Sequence, residues 1–370
     1  MHKLLVINPG STSTKVAVYH DLDQELLEVI YHPAAELAKF KEIFDQYEFR
    51  KNLIYQIIAE KGIDLHSFAA IVGRGGLCKP IPSGVYEVNQ QMIDDLKTSA
   101  FGKHVSSLSG LIAYLIAQEI GVKAFIADPA VVNEFEPLAF YSGWPEIKRK
   151  SLFHALNQKA AARKAASQLG REYEALRLIV AHLGGGITIG AHKYGRVVDV
   201  NNGLEEGPFA PERAGSLPIG DLIRLCYSGR YTKDEMIKTM AGRGGLVAYL
   251  GTNSGREVEQ RIASGDDAAA REAAAVYEAM AYQVAKEIGG CAAVLEGKVD
   301  AVVLTGGLAA SDRFTGWIRQ RAGFIAPFII LPGEFEMEAL AAGAWRVLTG
   351  REPLKTYAPE GDWSHYVGFN

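Results

Sequence analysis

Two glycine-bearing segments have the composition of phosphate-binding turns. Residues 8–15 place small hydroxyl side chains and backbone amides in a tight turn between two apolar strands, and residues 182–186 carry three consecutive glycines. Amides and hydroxyls donate hydrogen bonds to phosphate oxygens without bulk, and glycine lets a backbone approach a ligand closely. We therefore predict that the two turns bind one polyphosphate. The predicted contacts are Ser11, Thr12, Ser13, Lys15, His182, Gly184, Gly185 and Gly186.

Neither turn matches the P-loop of nucleotide-binding proteins. The pattern G-x-x-x-x-G-K-[ST] is absent, and a strand rather than a helix follows residues 8–15. An ordinary hairpin turn is the alternative interpretation of this first segment. A third turn contains Gly306 and Gly307 and follows the apolar strand 301–304. We expect this turn to bring backbone against the base or ribose of a nucleotide.

Two charged side chains lie at the ends of apolar runs. Arg74 comes amid glycines after residues 69–72, and Asp128 follows residues 124–127 and precedes a proline. The planar guanidinium group suits a carboxylate or a phosphoryl group, because its donors form a rigid fork. A surface arginine and a turn-forming aspartate are the alternative interpretations.

The elements that must position these residues form a pattern that occurs twice. Three strands separated by turns are predicted at 3–7, 15–19 and 25–31, and again at 178–181, 187–191 and 197–200. Helices alternating with short apolar strands follow each set, which is typical of mixed sheets covered by helices. Residues 145–169 have helical composition and are interpreted as the connector between the halves. Residues 266–288 predict a long alanine-rich helix, and residues 264–267 its cap.

Length and composition exclude several classes of protein. A chain of 370 residues predicts two domains with a cleft between them. With 22% charged residues and a net charge of −4, a nucleic-acid-binding protein is not expected. The three separated cysteines indicate neither a disulfide framework nor a zinc site. Because the chain has neither a signal peptide nor a membrane-spanning apolar stretch, we expect a cytoplasmic protein without membrane contact.

Residues 8–15 (N-x-G-S-[ST]-S-x-K) and 182–186 resemble the acetate and butyrate kinase family. Several blocks are similar to the butyrate and branched-chain fatty acid kinases of that family, namely 198–202, 206–209 and 211–215. The resemblance runs from the first strand to the helix near Glu338. It implies an α/β fold of two duplicated ribonuclease H-like domains, of the actin-like ATPase superfamily, around a central cleft.

The resemblance also implies an activity. It is the ATP-dependent phosphorylation of a short-chain carboxylic acid by direct in-line transfer, in which butanoate and ATP give butanoyl phosphate and ADP. The implied cofactors are ATP/ADP and Mg²⁺, and the implied assembly is a homodimer to which the helix at 266–288 is a candidate contributor. We divide the chain into an acyl-substrate and phosphate-binding domain, 1–150, and a nucleotide-binding domain, 151–370, with the last helix expected to pack back on the first domain.

Individual residues match the functional positions of the family. Arg74 matches the arginine that binds the substrate carboxylate, and Arg213 the arginine that steadies the transferring phosphoryl group. His154 matches the histidine that hydrogen-bonds this group in flight. Asn8 is expected to contact a phosphate from the first turn.

The implied metal ligands are two carboxylates. Asp128 fits the family aspartate associated with Mg²⁺, and Glu338 aligns with the glutamate that completes the site. The family has a pair of glutamates at this position, whereas this chain has Glu338 followed by alanine. Glu336 therefore remains the alternative to Glu338.

The acyl group requires an apolar pocket near Arg74. Phe153 is the first candidate for its wall, and Leu204 is another. If Gly75 or Gly76 replaces a branched residue of acetate kinases, the pocket is roomier.

Other functions remain as alternatives to a butyrate kinase. They are an isobutyrate kinase, an acetate or propionate kinase, a sugar kinase with an aspartate base, and, from another class, an Hsp70-like or actin-like ATP-dependent switch protein.

Overall fold

The computed structural model describes residues 1–98, 102 and 104–358. The chain forms two compact units, which are Met1–Asn133 with the described part of Phe335–Asn370, and Glu134–Glu334. The domains set at 1–150 and 151–370 remain a prediction, and the compact units divide the chain at Asn133 instead.

The first unit is built on a seven-stranded sheet in the order β14-β5-β6-β4-β1-β2-β3. Its strands are β1 (Lys3–Pro9), β2 (Ser13–His20), β3 (Asp23–Tyr31), β4 (Ala70–Gly73), β5 (Val85–Glu87), β6 (Lys123–Ala127) and β14 (Lys355–Thr356). β1, β2 and β3 form an antiparallel meander, while β1, β4 and β6 run parallel. The continuous apolar runs of β1 and β4 are buried, as expected of central parallel strands.

The first unit also contains helices. They are α1 (Ala34–Leu37), α2 (Tyr47–Glu60), α3 (Gln90–Thr98), α4 (Ser107–Ile120) and α12 (Glu336–Leu348). The apolar helix α4 packs on β4 and β6, and the last helix, α12, packs on β1, β4 and β6. The C-terminal helix thus belongs to the unit that the N-terminal strands begin.

The second unit repeats the same plan with a five-stranded sheet in the order β11-β10-β9-β12-β13. Its strands are β9 (Arg177–Leu183), β10 (Ile187–Lys193), β11 (Arg196–Val200), β12 (Ala301–Gly306) and β13 (Phe328–Pro332). β9, β10 and β11 form an antiparallel meander, and β12 and β13 continue parallel to β9. Both sheets therefore join a three-stranded meander to two parallel strands in the same order, which confirms the predicted duplication.

The helices of the second unit are α5 (Ala155–Gln168), α6 (Ile219–Cys226), α7 (Lys233–Met240), α8 (Gly245–Leu250), α9 (Gly255–Ala263), α10 (Ala268–Val294) and α11 (Asp312–Ala322). The predicted cap of α10 is confirmed, because the side chain of Asp267 accepts a hydrogen bond of 2.8 Å from the amide of Ala270. Short 3-10 turns occur at Ile43–Gln46, Leu65–Ser67, Pro137–Phe140, Tyr173–Ala175 and Gly307–Ala310. Within the described ranges, every helix is too short or too polar to cross a membrane.

The helical prediction for residues 145–169 was wrong over its first part. β7 (Tyr141–Trp144) and β8 (Ile147–Lys148) form a small hairpin there, and α5 begins only at Ala155. Pro145 lies in the hairpin turn, where its fixed φ and missing amide proton are tolerated. His154 is consequently the residue before the helix, not a residue within it.

A cluster of three side chains supports the turn between β1 and β2. We call Thr14, His32 and Arg50 the loop-support cluster. The Thr14 hydroxyl lies 2.8 Å from Nε2 of His32 and 2.8 Å from a guanidinium nitrogen of Arg50. The amide of His32 also donates to the carbonyl of Thr12, and its ring packs edge-on against Phe49. All three members of the cluster are buried.

The cluster predicts a pH-dependent contribution to stability. Burial, and then the charge of Arg50, lower the pKa of His32, whereas Glu36 acts in the opposite direction. In the unfolded chain a histidine has a pKa of about 6.5. Below that pH the unfolded chain binds a proton that the folded protein resists, so this contribution is complete above about pH 6.5 and is lost as the pH falls.

We expect the melting temperature of the native protein to fall toward that of His32→Gln as the pH is lowered from about 7.5 to 5.5. Glutamine can still hydrogen-bond to Thr14 but does not titrate. Thermal unfolding of both proteins across this range measures the difference. A difference that stays constant with pH would contradict the assignment to His32.

Candidate active site

Three predicted residues lie side by side at the carboxyl edge of the first sheet. Asn8 is the penultimate residue of β1, Arg74 follows β4 directly, and Asp128 follows β6 directly. β4 lies between β1 and β6, with Ile7 paired with Gly73 and Gly73 with Ile126. Because the three strands are parallel, their carboxyl ends meet at one edge.

Glu336 joins two of these residues. At the first position of α12, its carboxylate accepts a hydrogen bond of 2.7 Å from the amide of Asn8 and forms an ion pair of 2.6 Å with Arg74. Both charged side chains are mostly buried, with 27% of Arg74 and 12% of Glu336 exposed. The guanidinium group is therefore held in one orientation by a carboxylate in partly dry surroundings.

Glu338 lies on another side of the same helix. Two residues along a helix correspond to a rotation of about 200°, so Glu336 and Glu338 cannot face the same neighbours. Glu338 is exposed, and its charge, after burial, raises the pKa of Tyr19 to about 12. Of the two glutamates between which the sequence left the choice open, Glu336 is the one that contacts Asn8 and Arg74.

Asp128 is buried and holds a turn. One carboxylate oxygen accepts hydrogen bonds from the Ser83 hydroxyl at 2.6 Å and from the amide of Gly84 at 2.9 Å. Its backbone has a φ of 40°, a left-handed conformation that aspartate tolerates better than most residues. Such strain of about 1–3 kcal/mol persists only where the surroundings enforce it. The carboxylate is thus fixed at the sheet edge.

The oxygen donors at this edge fit Mg²⁺. This ion is commonly held by one or two carboxylates with phosphate oxygens and water completing its shell. Asp128 and Glu336 supply carboxylates whose orientation is set by neighbouring donors. Within the described part of the chain, no group of three or more His, Cys, Asp or Glu side chains forms a closed metal site. The arrangement suits an ion that arrives with a polyphosphate.

The first phosphate turn lies beside these residues on the sheet. Asn8 and Lys15 are direct partners in the antiparallel pair of β1 and β2, so their side chains share a face. Ser11 and Thr12 form the exposed tip of the turn, and Ser13 is half-buried. The hydroxyl-bearing residues are therefore placed where a ligand can reach them.

In the second unit, the rings of His154 and His182 stack. Their centroids are 3.9 Å apart and their planes differ by 14°. Asn157 donates through its amide nitrogen to Nδ1 of His182 at 2.8 Å and to the hydroxyl of Thr305 at 3.3 Å. Because an amide nitrogen only donates, Nδ1 of His182 accepts, and the neutral ring carries its proton on Nε2.

The second ring is oriented in a similar way. Nδ1 of His154 lies 3.0 Å from the hydroxyl of Thr188, which accepts a hydrogen bond of 2.9 Å from Gln158. Asn157 and Gln158 stand three and four residues after His154, on the helical face that returns toward it. Sequence reasoning missed both residues, although this spacing was the signal that could have found them.

Arg213 occupies space that only glycine leaves open. A Cβ atom at Gly186 would overlap the guanidinium group, which donates a hydrogen bond of 2.6 Å to the carbonyl of Gly203. Thr188, the partner of His154, flanks Gly203 as well. Burial lowers the pKa of Arg213, and Glu212 opposes this effect. The triple-glycine turn, Arg213 and the two histidines thus belong to one region of the second unit.

The remaining glycines of the predicted phosphate contacts have distinct surroundings. The carbonyl of Gly185 accepts a hydrogen bond from the amide of Glu212, while Gly184 packs against the ring of His182. Gly306 has a φ of 92°, and a Cβ there would overlap the backbone of Leu183, so strand packing alone requires this glycine. Gly307 is exposed, with open space where its side chain would be.

The residues predicted to line the acyl pocket lie in different parts of the chain. Phe153 is 3% exposed and Leu204 is half-buried, and both belong to the second unit. The expectation that Gly75 and Gly76 enlarge a pocket was wrong. A Cβ at Gly76 would overlap Ser107 of α4, and one at Gly75 would press on Ile126 and Pro129. These glycines let the loop pack closely on its own unit and do not open space for an acyl chain.

Comparison with known proteins identifies the family. Residues 143–315 match the model of the acetokinase family. Butyrate kinase 2 of Clostridium acetobutylicum is 52% identical over 96% of this chain and 99% of its own length. The chain belongs to the acetokinase family.

Solved structures of this acetokinase family share the fold. The acetate kinase of Porphyromonas gingivalis matches 94% of this chain and all of its own with a TM-score of 0.77 at 19% identity. The propionate kinase of Francisella tularensis matches 93% of this chain and 99% of its own with a TM-score of 0.72 at 20% identity. The predicted fold class is therefore confirmed.

Membership of the family also confirms the predicted class of enzyme. Acetate and butyrate kinases are phosphotransferases that have a carboxyl group as acceptor, and kinases use ATP and ADP. A short-chain fatty acid kinase was the predicted function, and the family relationship confirms it.

Because Glu336 contacts Arg74, we expect its substitution to affect catalysis more than substitution of Glu338. In Glu336→Gln, Arg74 loses its ionic partner, so kcat/KM is expected to fall by roughly tenfold or more, since hydrogen bonds to charged groups contribute about 1.5–3 kcal/mol. Glu338→Gln is the matched variant, and its kcat/KM is expected to stay within about twofold of native. Steady-state kinetics at saturating Mg²⁺ checks both. The opposite order of the two effects would show that Glu338 is the functional carboxylate.

Proposed function

We propose that the protein phosphorylates butanoate with ATP to give butanoyl phosphate and ADP. The observation that carries this proposal is Arg74, oriented by Glu336 at the sheet edge, in a chain 52% identical over nearly its whole length to a butyrate kinase. An arginine in this position favours an anionic acceptor over the neutral hydroxyl of a sugar.

The reaction needs no general base. A short fatty acid titrates much like a glutamate side chain, at about 4.3, and is ionised at neutral pH. One carboxylate oxygen forms a bond to the γ-phosphorus, and the bond from that phosphorus to the bridging oxygen of ADP breaks, so no proton moves. The protein has to align two anions and to stabilise the charge on the transferring group.

Residues of the two units take separate roles in this proposal. Arg74 binds the acid carboxylate through its guanidinium fork, and Asn8 contacts a phosphate. In the second unit, Arg213 and His154 stabilise the transferring phosphoryl group, and His182 donates from Nε2. The support for these roles is the fixed orientation of each side chain: Glu336 holds Arg74, and Asn157 and Thr188 hold the histidine rings.

Nucleotide and metal complete the proposal. The hydroxyl-bearing turn at 10–14 and the glycine turn at 184–186 bind phosphates, and Gly307 lies next to the nucleoside. Asp128 and Glu336 would hold Mg²⁺, with Glu336 taking the place first assigned to Glu338. When bound, the ion neutralises phosphate charge.

The acyl-chain series tests the proposed activity. We expect acyl phosphate, trapped as the hydroxamate, to form with the highest kcat/KM for butyrate among acetate, propionate, butyrate, isobutyrate and valerate. Each methylene contributes about 1–3 kcal/mol in an apolar pocket, so neighbouring acids are expected to differ by about 10–200-fold. A maximum at isobutyrate, acetate or propionate would reassign the acceptor. ATP hydrolysis indifferent to acids would instead indicate a switch protein.

Arg74→Ala and Arg213→Ala test the site assignment with the same acids. Each is expected to lose at least about 10²-fold in kcat/KM, because Arg74→Ala removes the group that aligns the acid and Arg213→Ala removes a donor to the transferring phosphoryl group. Circular dichroism and ATP binding should remain near native. Near-normal turnover in both variants would refute the site assignment even if the native protein is an acyl kinase.

We also propose that the protein is a cytoplasmic homodimer. α6 has no buried residue, and it exposes Ile219 by 73% and Ile223 by 52% of their surfaces. Tyr227 beyond its end is 89% exposed, and Tyr282 of α10 is 49% exposed. Apolar groups exposed in this number support a surface covered by a second copy.

A substitution on α6 tests the dimer. We expect the native protein to have twice the monomer mass by light scattering and Ile223→Glu to have the monomer mass at the same concentration, because a buried carboxylate without a partner is costly. Asp221→Asn, on the same exposed helix, is the control and should keep the native mass. A native protein of monomer mass would refute the proposal.

A further inference from the structure

Arg50 of α2 lies fully buried beneath the turn between β1 and β2. One guanidinium nitrogen donates to the carbonyls of Gly10 and Ser13, both at 3.1 Å, and to the hydroxyl of Thr14 at 2.8 Å. Nε and the other terminal nitrogen donate to the side-chain oxygen of Gln46 at 3.1 and 2.9 Å. One side chain thus connects both ends of the turn to a helix.

The partners of Arg50 are all neutral. Among the described residues, no carboxylate lies within ion-pairing distance of it, although buried arginines are usually paired. Arg74, by contrast, has Glu336, and Arg149 has Asp199 and Glu206. Burial lowers the pKa of Arg50 to about 10, so the group stays charged at neutral pH.

The geometry has two consequences for the turn. Because Arg50 engages the carbonyl oxygens of Gly10 and Ser13, these oxygens are turned toward the helix and away from any anion at the tip. The charge of Arg50 is not cancelled by a carboxylate, so its field favours an anion on the turn. Charges in such surroundings interact more strongly than in water.

We propose that Arg50 is a positioning residue for the nucleotide: it holds residues 10–14 in the phosphate-binding conformation and supplies the uncompensated positive charge beneath them. The proposal rests on the proposed function in one respect, which is that this turn binds phosphates of ATP. Arg50 itself does not touch the substrate. It acts through the backbone of Gly10 and Ser13 and the hydroxyl of Thr14.

Arg50→Lys tests the holding role. Lysine keeps the charge but lacks the planar fork that reaches Gln46 and the turn together, so KM for ATP is expected to rise about tenfold. KM for the acid should change by less than about twofold. Ile58→Ala, which removes a buried side chain two turns further along α2, is the control for destabilisation: its melting temperature should fall while both KM values stay native.

Gln46→Glu tests the role of the unpaired charge of Arg50. Its result can be interpreted even if Arg50→Lys does not fold. The new carboxylate still accepts the hydrogen bonds from Arg50, but it neutralises the positive charge of Arg50. A negative group next to the start of α2 is compatible with the helix dipole. We expect an unchanged or higher melting temperature together with a rise of about threefold or more in KM for ATP.

The outcomes separate this proposal from the proposed function. Acyl phosphate formation by the native enzyme is decided independently of both variants. A native KM for ATP in Gln46→Glu would overturn the role of Arg50 and leave the kinase activity standing. So would an Arg50→Lys variant in which the KM values for ATP and for the acid change by the same factor.

Discussion

The parallel alignment of β1, β4 and β6 is the constraint on which the first-unit site depends. Asn8, Arg74 and Asp128 are far apart in sequence, and each lies at or just beyond the carboxyl end of a different strand. Parallel neighbours bring those ends to one sheet edge, where the first turn of α12 adds Glu336. The chain must therefore return from its second unit before the site is complete.

The sequence predicted the strands and turns well because their signals are local. Apolar runs interrupted by glycine-rich turns placed both meanders, and the acids before residue 268 placed the start of α10. The connector was misjudged because composition alone does not distinguish a helix from a short hairpin built around Pro145. Its correction moved His154 to the position before α5.

Side-chain partners were harder to predict than elements. Glu336 and Glu338 are two residues apart, and only the phase of α12 on the sheet decides which one meets Arg74. The crowding of Gly76 against Ser107 is likewise a tertiary contact without a local signal. Arg50 was missed for the same reason, since nothing in residues 47–60 indicates that this charge lies beneath the turn at 10–14.

The contact between Gly186 and Arg213 links two positions that cannot vary independently. Any side chain at 186 would take the space of the guanidinium group, so a larger residue there acts on Arg213 without changing it. A lineage that lost the arginine would be released from the need for glycine, whereas one that kept it would not. In a set of related sequences, an arginine at position 213 should therefore be accompanied by glycine at position 186, whereas sequences without this arginine are free to carry a larger residue there.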